Sequence, residues 1–171
     1  MLAGLDDPEW QVRWSAARAL DGRDGQDVTA GLLACLDDTQ WILREAAARA
    51  LAGREGQDVT TALLACLDDP EEQLRQAAAQ ALDGREGEDV TAGLLARLDN
   101  PEEQVRQAAA LMLARRDSPA DLVLLARHNW TQSVPFEVLS AAYDLMTRHY
   151  QALPPPEQEM VRARMILLLP L

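Results

Sequence analysis

Three of the four tryptophans of this chain lie in its first third. Trp10, Trp14 and Trp41 lie there, together with Arg18 and Arg49. An indole ring offers a large apolar face, and a guanidinium group offers hydrogen-bond donors in a planar fork. These two residue types are enriched in the hot spots of protein interfaces. The chemistry they suit is recognition of another molecule rather than the making or breaking of bonds.

Side chains that could form a catalytic or metal site are scarce. The two histidines, His128 and His149, have no cysteine or second histidine at the spacing of a metal site. The sequence contains no Gly-x-Ser-x-Gly elbow. Its Gly-Arg-Glu-Gly segments, at 53–56 and 84–87, do not follow a predicted strand as a phosphate-binding loop would. The sequence therefore predicts no enzyme, no metal and no cofactor.

The overall charge argues against two classes of partner. The net charge is −12 and the isoelectric point is near 4.5. Such a surface repels the phosphates of nucleic acids and the headgroups of anionic membranes. The longest apolar run, at 165–169, is far too short to cross a bilayer. We therefore predict neither a nucleic-acid nor a membrane partner.

The two cysteines favour a reducing compartment. Cys35 and Cys66 are 31 residues apart, which is one repeat of the sequence described next. Equivalent positions of stacked helices lie about 10 Å apart, whereas a disulfide needs Cα atoms within about 7 Å. We expect both thiols to be reduced. With no basic, apolar signal segment after Met1, this predicts a cytoplasmic protein.

A unit of 31 residues repeats along the chain. Residues 36–66 and 67–97 match at 20 of 31 positions without a gap. Each unit reads as two helices joined by a polar turn. The segment Leu-Asp-Asp begins at Leu5, Leu36 and Leu67, and Leu-Asp-Asn begins at Leu98.

The third unit shows the signals that delimit its helices. Asp69 suits an N-cap, Pro70 suits the first helical position, and Glu72 would complete a capping box. Gly84 and Gly87 bracket the turn to the second helix. By the same signals, the first helices of the units are predicted to begin at Asp7, Asp38, Asp69 and Asn100, and the second helices at Asp27, Asp58 and Asp89.

Pairs of alanines in the first helices allow close stacking of successive units. Ala47-Ala48 and Ala78-Ala79 are two of these pairs. No single helix pair can bury its own apolar face, so stability requires several stacked units. The predicted fold is all-α, a right-handed α-solenoid of stacked antiparallel helix pairs.

The repeat motif resembles a known family. Asp-Pro-Glu-x-x-Val-Arg-x-x-Ala-Ala-x-Ala-Leu, at Asp7–Leu20 and again from Asn100, is similar to the short HEAT-like repeat. That repeat occurs in bacterial phycobilisome-lyase-type proteins and in designed HEAT-like binding scaffolds. The resemblance is strong from residue 5 to about residue 127. It implies a fold, and it implies almost nothing about activity.

The resemblance assigns a structural role to recurring charged residues. In the HEAT family, such arginines and aspartates form a ladder along the turns between helices. A stripe of evenly spaced arginines could instead bind phosphates, but acidic residues recur in the same register. The predicted ladder residues are Arg13, Arg44, Arg75, Arg106, Asp27, Asp58 and Asp89.

Positions at which the units differ are candidates for function. On the first helices they fall between the predicted core positions and should point outward. In the designed scaffolds, these are the positions varied to make binders. The resemblance thus implies an exposed partner-binding patch; an alternative is that its tryptophans pack against each other or against a further repeat. The predicted patch comprises Trp10, Trp14, Arg18, Trp41, Ile42, Glu45 and Arg49.

The repeat degenerates in the last third of the chain. We predict four HEAT-like units over residues 1–116, then a divergent repeat and a C-terminal capping helix over 117–171, in one continuous solenoid. A loop is expected at Asn129–Val134, a helix from Pro135 to about Gln151, and a last helix from Glu157 to Leu169. Neither end carries the polar face of a terminal repeat. We therefore expect a fragment of a larger bacterial protein.

These features predict a non-catalytic scaffold or sensor module. Its partner would be a protein or a peptide, and other domains of the same parent protein are an open alternative. An enzyme of HEAT-like fold is the second hypothesis. An alkylpurine DNA glycosylase would use groove tryptophans and an aspartate, but its groove is basic. A bilin lyase shares the short repeat, yet no lyase-specific residue can be named here.

Overall fold

The structure is a computed structural model that describes residues 2–85, 87–116, 118–127 and 136–168. All the regular structure within these residues is helical. Short 3₁₀ helices span Leu2–Asp6 and Tyr150–Ala152. The α-helices are α1 (Trp10–Ala19), α2 (Gln26–Cys35), α3 (Trp41–Ala50), α4 (Gln57–Cys66), α5 (Glu72–Leu82), α6 (Glu88–Arg97), α7 (Glu103–Arg115), α8 (Pro119–Arg127), α9 (Phe136–His149) and α10 (Pro155–Leu168).

The first of two compact units spans Met1–Arg85 and consists of two helix layers. Helices α1, α3 and α5 lie side by side in one layer, and α2 and α4 lie together in the other. The 3₁₀ helix at Leu2–Asp6 contacts both α1 and α2, so it occupies the place before α2 in the second layer. This is the layered stacking expected of an α-solenoid.

The second compact unit, Glu86–Leu171, has the same layered plan. Helices α7 and α9 form one layer, while α8 contacts both α6 and α10 in the other. The predicted boundary after residue 116 remains a prediction. None of the helices over the described ranges is long and apolar enough to span a bilayer.

Repeated leucines and alanines form the core of the first unit. Leu43 and Leu74 occupy one register in successive repeats, and both are fully buried. Ala47 and Ala78 are also fully buried, where any larger side chain would force the helices apart. Ala47 and Ala78, singled out from the sequence for close stacking, therefore lie at packed helix contacts.

The first helix of each repeat begins later than predicted, with its N-cap two residues beyond the predicted aspartate or asparagine. The carboxylate of Asp38 accepts a hydrogen bond from the backbone N–H of Gln40 at 2.8 Å, an Asx turn ahead of the helix. The carbonyl of Asp38 accepts a bond from Arg44 at 2.9 Å and is therefore engaged by a side chain. The predicted capping box is absent, because the N-cap of α5 is Glu71, with no side-chain cap bond.

The second helices begin where the turn glycines end. They start at Gln26, Gln57 and Glu88, each one residue before the predicted aspartate, a difference within the usual spread of helix ends. Gly53 and Gly56 have φ angles of 77° and 128°, which side chains other than glycine rarely adopt. The predicted glycine-bracketed turn is confirmed.

The last third of the chain follows its predicted order of helices. The bounds of α9 and α10 lie within two residues of the predicted ones. The loop predicted at Asn129–Val134 lies outside the described residues. In α9, Tyr143 is 51% exposed, whereas Leu145 is fully buried.

A buried ion pair joins the end of α7 to the first turn of α8, at positions where the earlier repeats have none. Asp121 stands in the register that Val59 and Val90 fill in earlier repeats, and it is 2% exposed. Its carboxylate lies 3.4 Å from the Nε of Arg116. Burial raises the pKa of Asp121, while the charge of Arg116 opposes that rise. The fourth repeat thus replaces an apolar contact with an ion pair.

Both cysteines are buried and unbridged. Burial, reinforced by the charge of Asp38, raises the pKa of the Cys35 thiol from 9.0 to about 11. The thiolate is the reactive form. This thiol therefore belongs to the inert structural class.

We predict slow alkylation of Cys35 in the folded chain. In a Cys66→Ala background near pH 8, a pKa of about 11 instead of 9.0 leaves about a hundredfold less thiolate than in an unfolded chain. The rate of iodoacetamide modification should rise tenfold per pH unit toward pH 11. Because the pKa of Cys35 is higher in the folded chain than in the unfolded chain, the unfolded chain loses this proton first. The free energy of unfolding should therefore fall between about pH 9 and 11. A rate equal to that of the urea-unfolded chain would contradict this.

Candidate partner-binding surface

The predicted patch lies on two neighbouring helices of the first unit. Helices α1 and α3 pack side by side in the same layer. We call the patch on them the recognition face. It consists of Trp10, Trp14 and Arg18 on α1, and Trp41, Ile42, Glu45 and Arg49 on α3.

The tryptophans of the recognition face are less exposed than predicted. Trp10, Trp14 and Trp41 are all half-buried, as is Ile42. Leu43 of α3 is fully buried, and α3 lies against α1.

Helix geometry explains this burial. At 3.6 residues per turn, Trp10 and Trp14 lie roughly opposite the exposed Val12 and Ala19 of α1. Val12 has the register of Leu43, so it marks the flank that faces away from α3. The two indoles therefore lie on the flank toward α3, and only part of each ring is available to a ligand.

The two arginines remain exposed and are held by neighbours on their own helices. The guanidinium carbon of Arg18 lies 4.8 Å from the ring centroid of Trp14, a cation–π contact. Arg49 forms an ion pair of 2.7 Å with Glu45 one turn earlier, and its side chain is 63% exposed. The recognition face thus combines partly exposed aromatic rings with two guanidinium groups of restricted orientation.

The same register in the third repeat has a different chemistry. Glu72, Gln76 and Gln80 of α5 stand where Trp41, Glu45 and Arg49 stand in α3. Gln76 donates a hydrogen bond of 2.8 Å to Glu72, and all three side chains are exposed. From the second repeat to the third, the side chains of this register therefore change from aromatic and cationic to amide-rich, while the helical framework stays the same.

A ladder of arginines and aspartates joins successive repeats, with different aspartates from those predicted. Arg13 binds the carboxylate of Asp38 through two hydrogen bonds of 2.8 and 3.1 Å. Arg44 binds Asp69 in the same way at 3.1 and 3.0 Å. In both cases the acceptor is the aspartate that forms the Asx turn before the first helix of the next repeat. The stacking of the repeats places this aspartate beside the arginine.

Arg75 and Arg106 make the same bonds to their own repeat that Arg13 and Arg44 also make. Arg75 donates to the carbonyls of Asp69 and Pro70, and Arg106 donates to those of Asn100 and Pro101. The aspartates assigned to the ladder instead lie in the first turn of a second helix, where a carboxylate favours the helix dipole. They are Asp27 and Asp58, which are exposed, and Asp89, which is half-buried.

Paired hydrogen bonds lower the pKa of Asp38. Partial burial alone would raise it, but the bonds from Arg13 and from the N–H of Gln40, with the charge of Arg44, outweigh burial. The carboxylate therefore stays ionised, and the bridge persists, at pH values below the usual range of an aspartate. The Arg13 pKa is raised by the same hydrogen bond.

A second set of arginines links successive repeats at the other end of the helices. Their role was not predicted from the sequence. We call Arg54 and Arg85 the turn arginines. Arg54 donates to the hydroxyl of Thr29 at 3.1 Å, to the carbonyl of Leu20 at 3.2 Å and to that of Arg23. Arg85 binds the equivalent groups one repeat later. The signal was available, because Arg23, Arg54, Arg85 and Arg116 recur every 31 residues.

Within the described ranges, no group of three or more histidine, cysteine, aspartate or glutamate side chains is placed so that it could hold a metal ion. Of the two histidines, His149 is half-buried near the end of α9, and His128 lies outside the described residues.

Comparisons with known proteins agree with this architecture. A family profile for HEAT repeats matches residues 1–83 and 60–146. No curated protein matches the chain. Together the two profile matches span most of the chain, which confirms the predicted resemblance to HEAT repeats.

Solved structures of helical repeat proteins are similar to this chain. A designed armadillo repeat protein matches at 18% identity over 98% of both chains, with a TM-score of 0.50. Another, solved with the peptide (KR)4, matches at 16% over 98% of both chains, with a TM-score of 0.51. The CpcE–CpcF complex of phycocyanin lyase from Nostoc sp. PCC7120 matches at 20% over 98% of this chain and 93% of that chain, with a TM-score of 0.46. The armadillo matches support the α-solenoid fold and no particular activity.

Proposed function

We propose that this chain, which belongs to the HEAT repeat family, is a non-catalytic binding module for a protein or peptide partner. The observation that carries the proposal is the contrast between repeats. The buried leucines and alanines of α3 recur unchanged in α5, while the register of Trp41 and Arg49 becomes Glu72 and Gln80. The same helical framework forms with Glu72 and Gln80 in this register, so the difference favours a role in selective recognition.

The geometry of the recognition face supports this proposal. Arg18 and Arg49 are each oriented by a contact on their own helix, so binding immobilises little that was free. The half-buried indoles cannot insert into a partner, but their exposed edges can pack against an apolar side chain. The proposed partner therefore contributes an apolar group together with hydrogen-bond acceptors for the two guanidinium groups.

The fold also supports a peptide ligand. One of the similar designed armadillo repeat proteins was solved in complex with a peptide. Layers of parallel helices of this kind present side chains at regular intervals, which suits an extended chain. The buried, unbridged cysteines are compatible with the cytoplasmic location that we propose.

Peptide selection tests the proposal directly. Peptides would be selected from a random library on the full chain and their affinities measured by fluorescence anisotropy. We expect Trp41→Ala to weaken the selected peptides at least tenfold, about 1.4 kcal/mol. Glu72→Ala is the matched control, because Glu72 has the same register in α5, and it should change affinity less than threefold.

Two outcomes would contradict the proposal. If Trp41→Ala and Glu72→Ala weakened peptide affinity equally, the binding energy would not come from the recognition face. Salt-sensitive binding of duplex DNA that Arg18→Ala and Arg49→Ala weaken would favour the nucleic-acid enzyme hypothesis instead. Circular dichroism of each variant separates loss of binding from loss of folding.

A further inference from the structure

Arg18 of the recognition face has a different neighbour from its counterpart in the second repeat. Trp14 and Arg18 of α1 stand in the register of Glu45 and Arg49 of α3. The carboxylate of Glu45 compensates the charge of Arg49 through an ion pair of 2.7 Å. Trp14 instead offers Arg18 an indole ring, whose centroid lies 4.8 Å from the guanidinium carbon. Both repeats therefore orient an arginine at the same place on the helix, and the second repeat also supplies its counter-charge.

The hydrogen-bond donors of Arg18 are available to a ligand. Its side chain is exposed, and within the described ranges of the chain it forms neither a hydrogen bond nor an ion pair. By contrast, Arg13 and Arg44 are paired with aspartates of the next repeat. An aromatic ring attracts the positive charge of a guanidinium group but has no oxygen acceptors. The planar fork of Arg18 can therefore bind a carboxylate through two parallel bonds while it remains on the ring of Trp14.

We infer that the partner of the recognition face places one carboxylate on Arg18 and an apolar group beside it, against the ring of Trp14. This inference rests on the proposed function and names the chemistry of its partner. The carboxylate supplies to Arg18 what Glu45 supplies to Arg49 one repeat later. Arg18 is thus the residue that selects a peptide with an aspartate or glutamate next to an apolar residue.

The same contacts limit the partner to a single carboxylate at this face. A second carboxylate near Arg49 would meet the negative charge of Glu45, so Arg49 suits a neutral acceptor such as a carbonyl. The net charge of −12 also disfavours a partner with many negative charges. The inferred ligand is therefore a peptide with one acidic contact residue and not a polyanion.

A double-mutant cycle between the chain and its selected peptides tests the inference. Peptides whose affinity depends on Trp41 are compared with versions in which each aspartate or glutamate is replaced by asparagine or glutamine. One replacement should weaken binding to the original chain at least about tenfold, because two charge-assisted bonds are lost, and should change binding to Arg18→Gln less than about threefold. Arg49→Gln is the matched control, in which the same replacement should still weaken binding about tenfold.

Trp14→Glu gives a second test, because it copies the pair of Glu45 and Arg49 into α1. The introduced carboxylate should bind Arg18, so the acidic and amide versions of the peptide should then differ in affinity less than about threefold. Circular dichroism of this variant and of Arg18→Gln checks that the helices are retained. A preference for the acidic peptide that persists in Trp14→Glu would contradict the inference.

Two further results would overturn it. Peptides that depend on Trp41 but tolerate replacement of every acidic residue would leave the proposed function in place without a carboxylate contact. A replacement that weakens binding to Arg18→Gln as much as to the original chain would assign the carboxylate to another cation. Failure of the proposed function has a different signature, because no selected peptide would then depend on Trp41.

Discussion

Replacing Arg54 with alanine should lower the free energy of unfolding by about 2–4 kcal/mol, whereas the same change at Arg23 should cost less than about 0.5 kcal/mol. The guanidinium of Arg54 donates to Ala50 and to three acceptors of the preceding repeat. Charge-assisted bonds are stronger than neutral ones, and the truncation removes all four of these bonds at once. Arg23 has the same register but an exposed side chain.

Urea unfolding followed by circular dichroism measures both variants. The loss of unfolding free energy in Arg54→Lys should lie between the losses in Arg23→Ala and Arg54→Ala, because an ammonium group cannot reach all the acceptors arranged for a planar fork. Arg85→Ala should resemble Arg54→Ala, since Arg85 binds the equivalent groups one repeat later. If Arg23→Ala and Arg54→Ala proved equally costly, the contacts between repeats would not be the source of the loss.

Leu43→Ala should destabilise the chain by about 3 kcal/mol, with a range of about 2–5 kcal/mol. Leu43 is fully buried in the layer formed by α1, α3 and α5. Truncation removes apolar contacts and leaves a cavity that the neighbouring alanines are too small to fill. Val12, in the same register of the first repeat, is 43% exposed.

The matched change Val12→Ala should cost less than about 1 kcal/mol, because much of its side chain already contacts solvent. Both variants can be followed by the same urea titration. The slope of each transition should stay unchanged if the whole first unit unfolds together. Similar losses at the two positions would mean that Val12 is covered in solution.

The period of the sequence made the framework predictable. The alanine pairs recur with this period, so the burial of Ala47 and Ala78 followed from one observation. The spacing of glycines likewise located the turns, because their φ angles exclude most other residues. Helix starts were less accurate, since an Asx turn at Asp38 and a capped helix at Asp38 have the same sequence signal.

The candidate site was less predictable, for two physical reasons. Whether Trp10 and Trp14 point outward or toward α3 depends on a small rotation of α1 about its axis, which residue types do not fix. The acceptors of Arg54 are mostly backbone carbonyls, and these carry no sequence signature. Asp69 was not among the predicted ladder residues, because it comes alongside Arg44 only through the stacking of the repeats.

The two sets of arginines have a mechanical consequence for the junction between the first two repeats. Arg13 fastens the beginning of α1 to the turn before α3, and Arg54 fastens the segment after α3 to the segment after α1. Because neighbouring helices are tied near both ends, sliding or twisting one against the other must stretch a charged bond. The junction should therefore have high torsional stiffness. The separation between side chains on α1 and α3 would fluctuate little, and a ligand would have to match that fixed spacing.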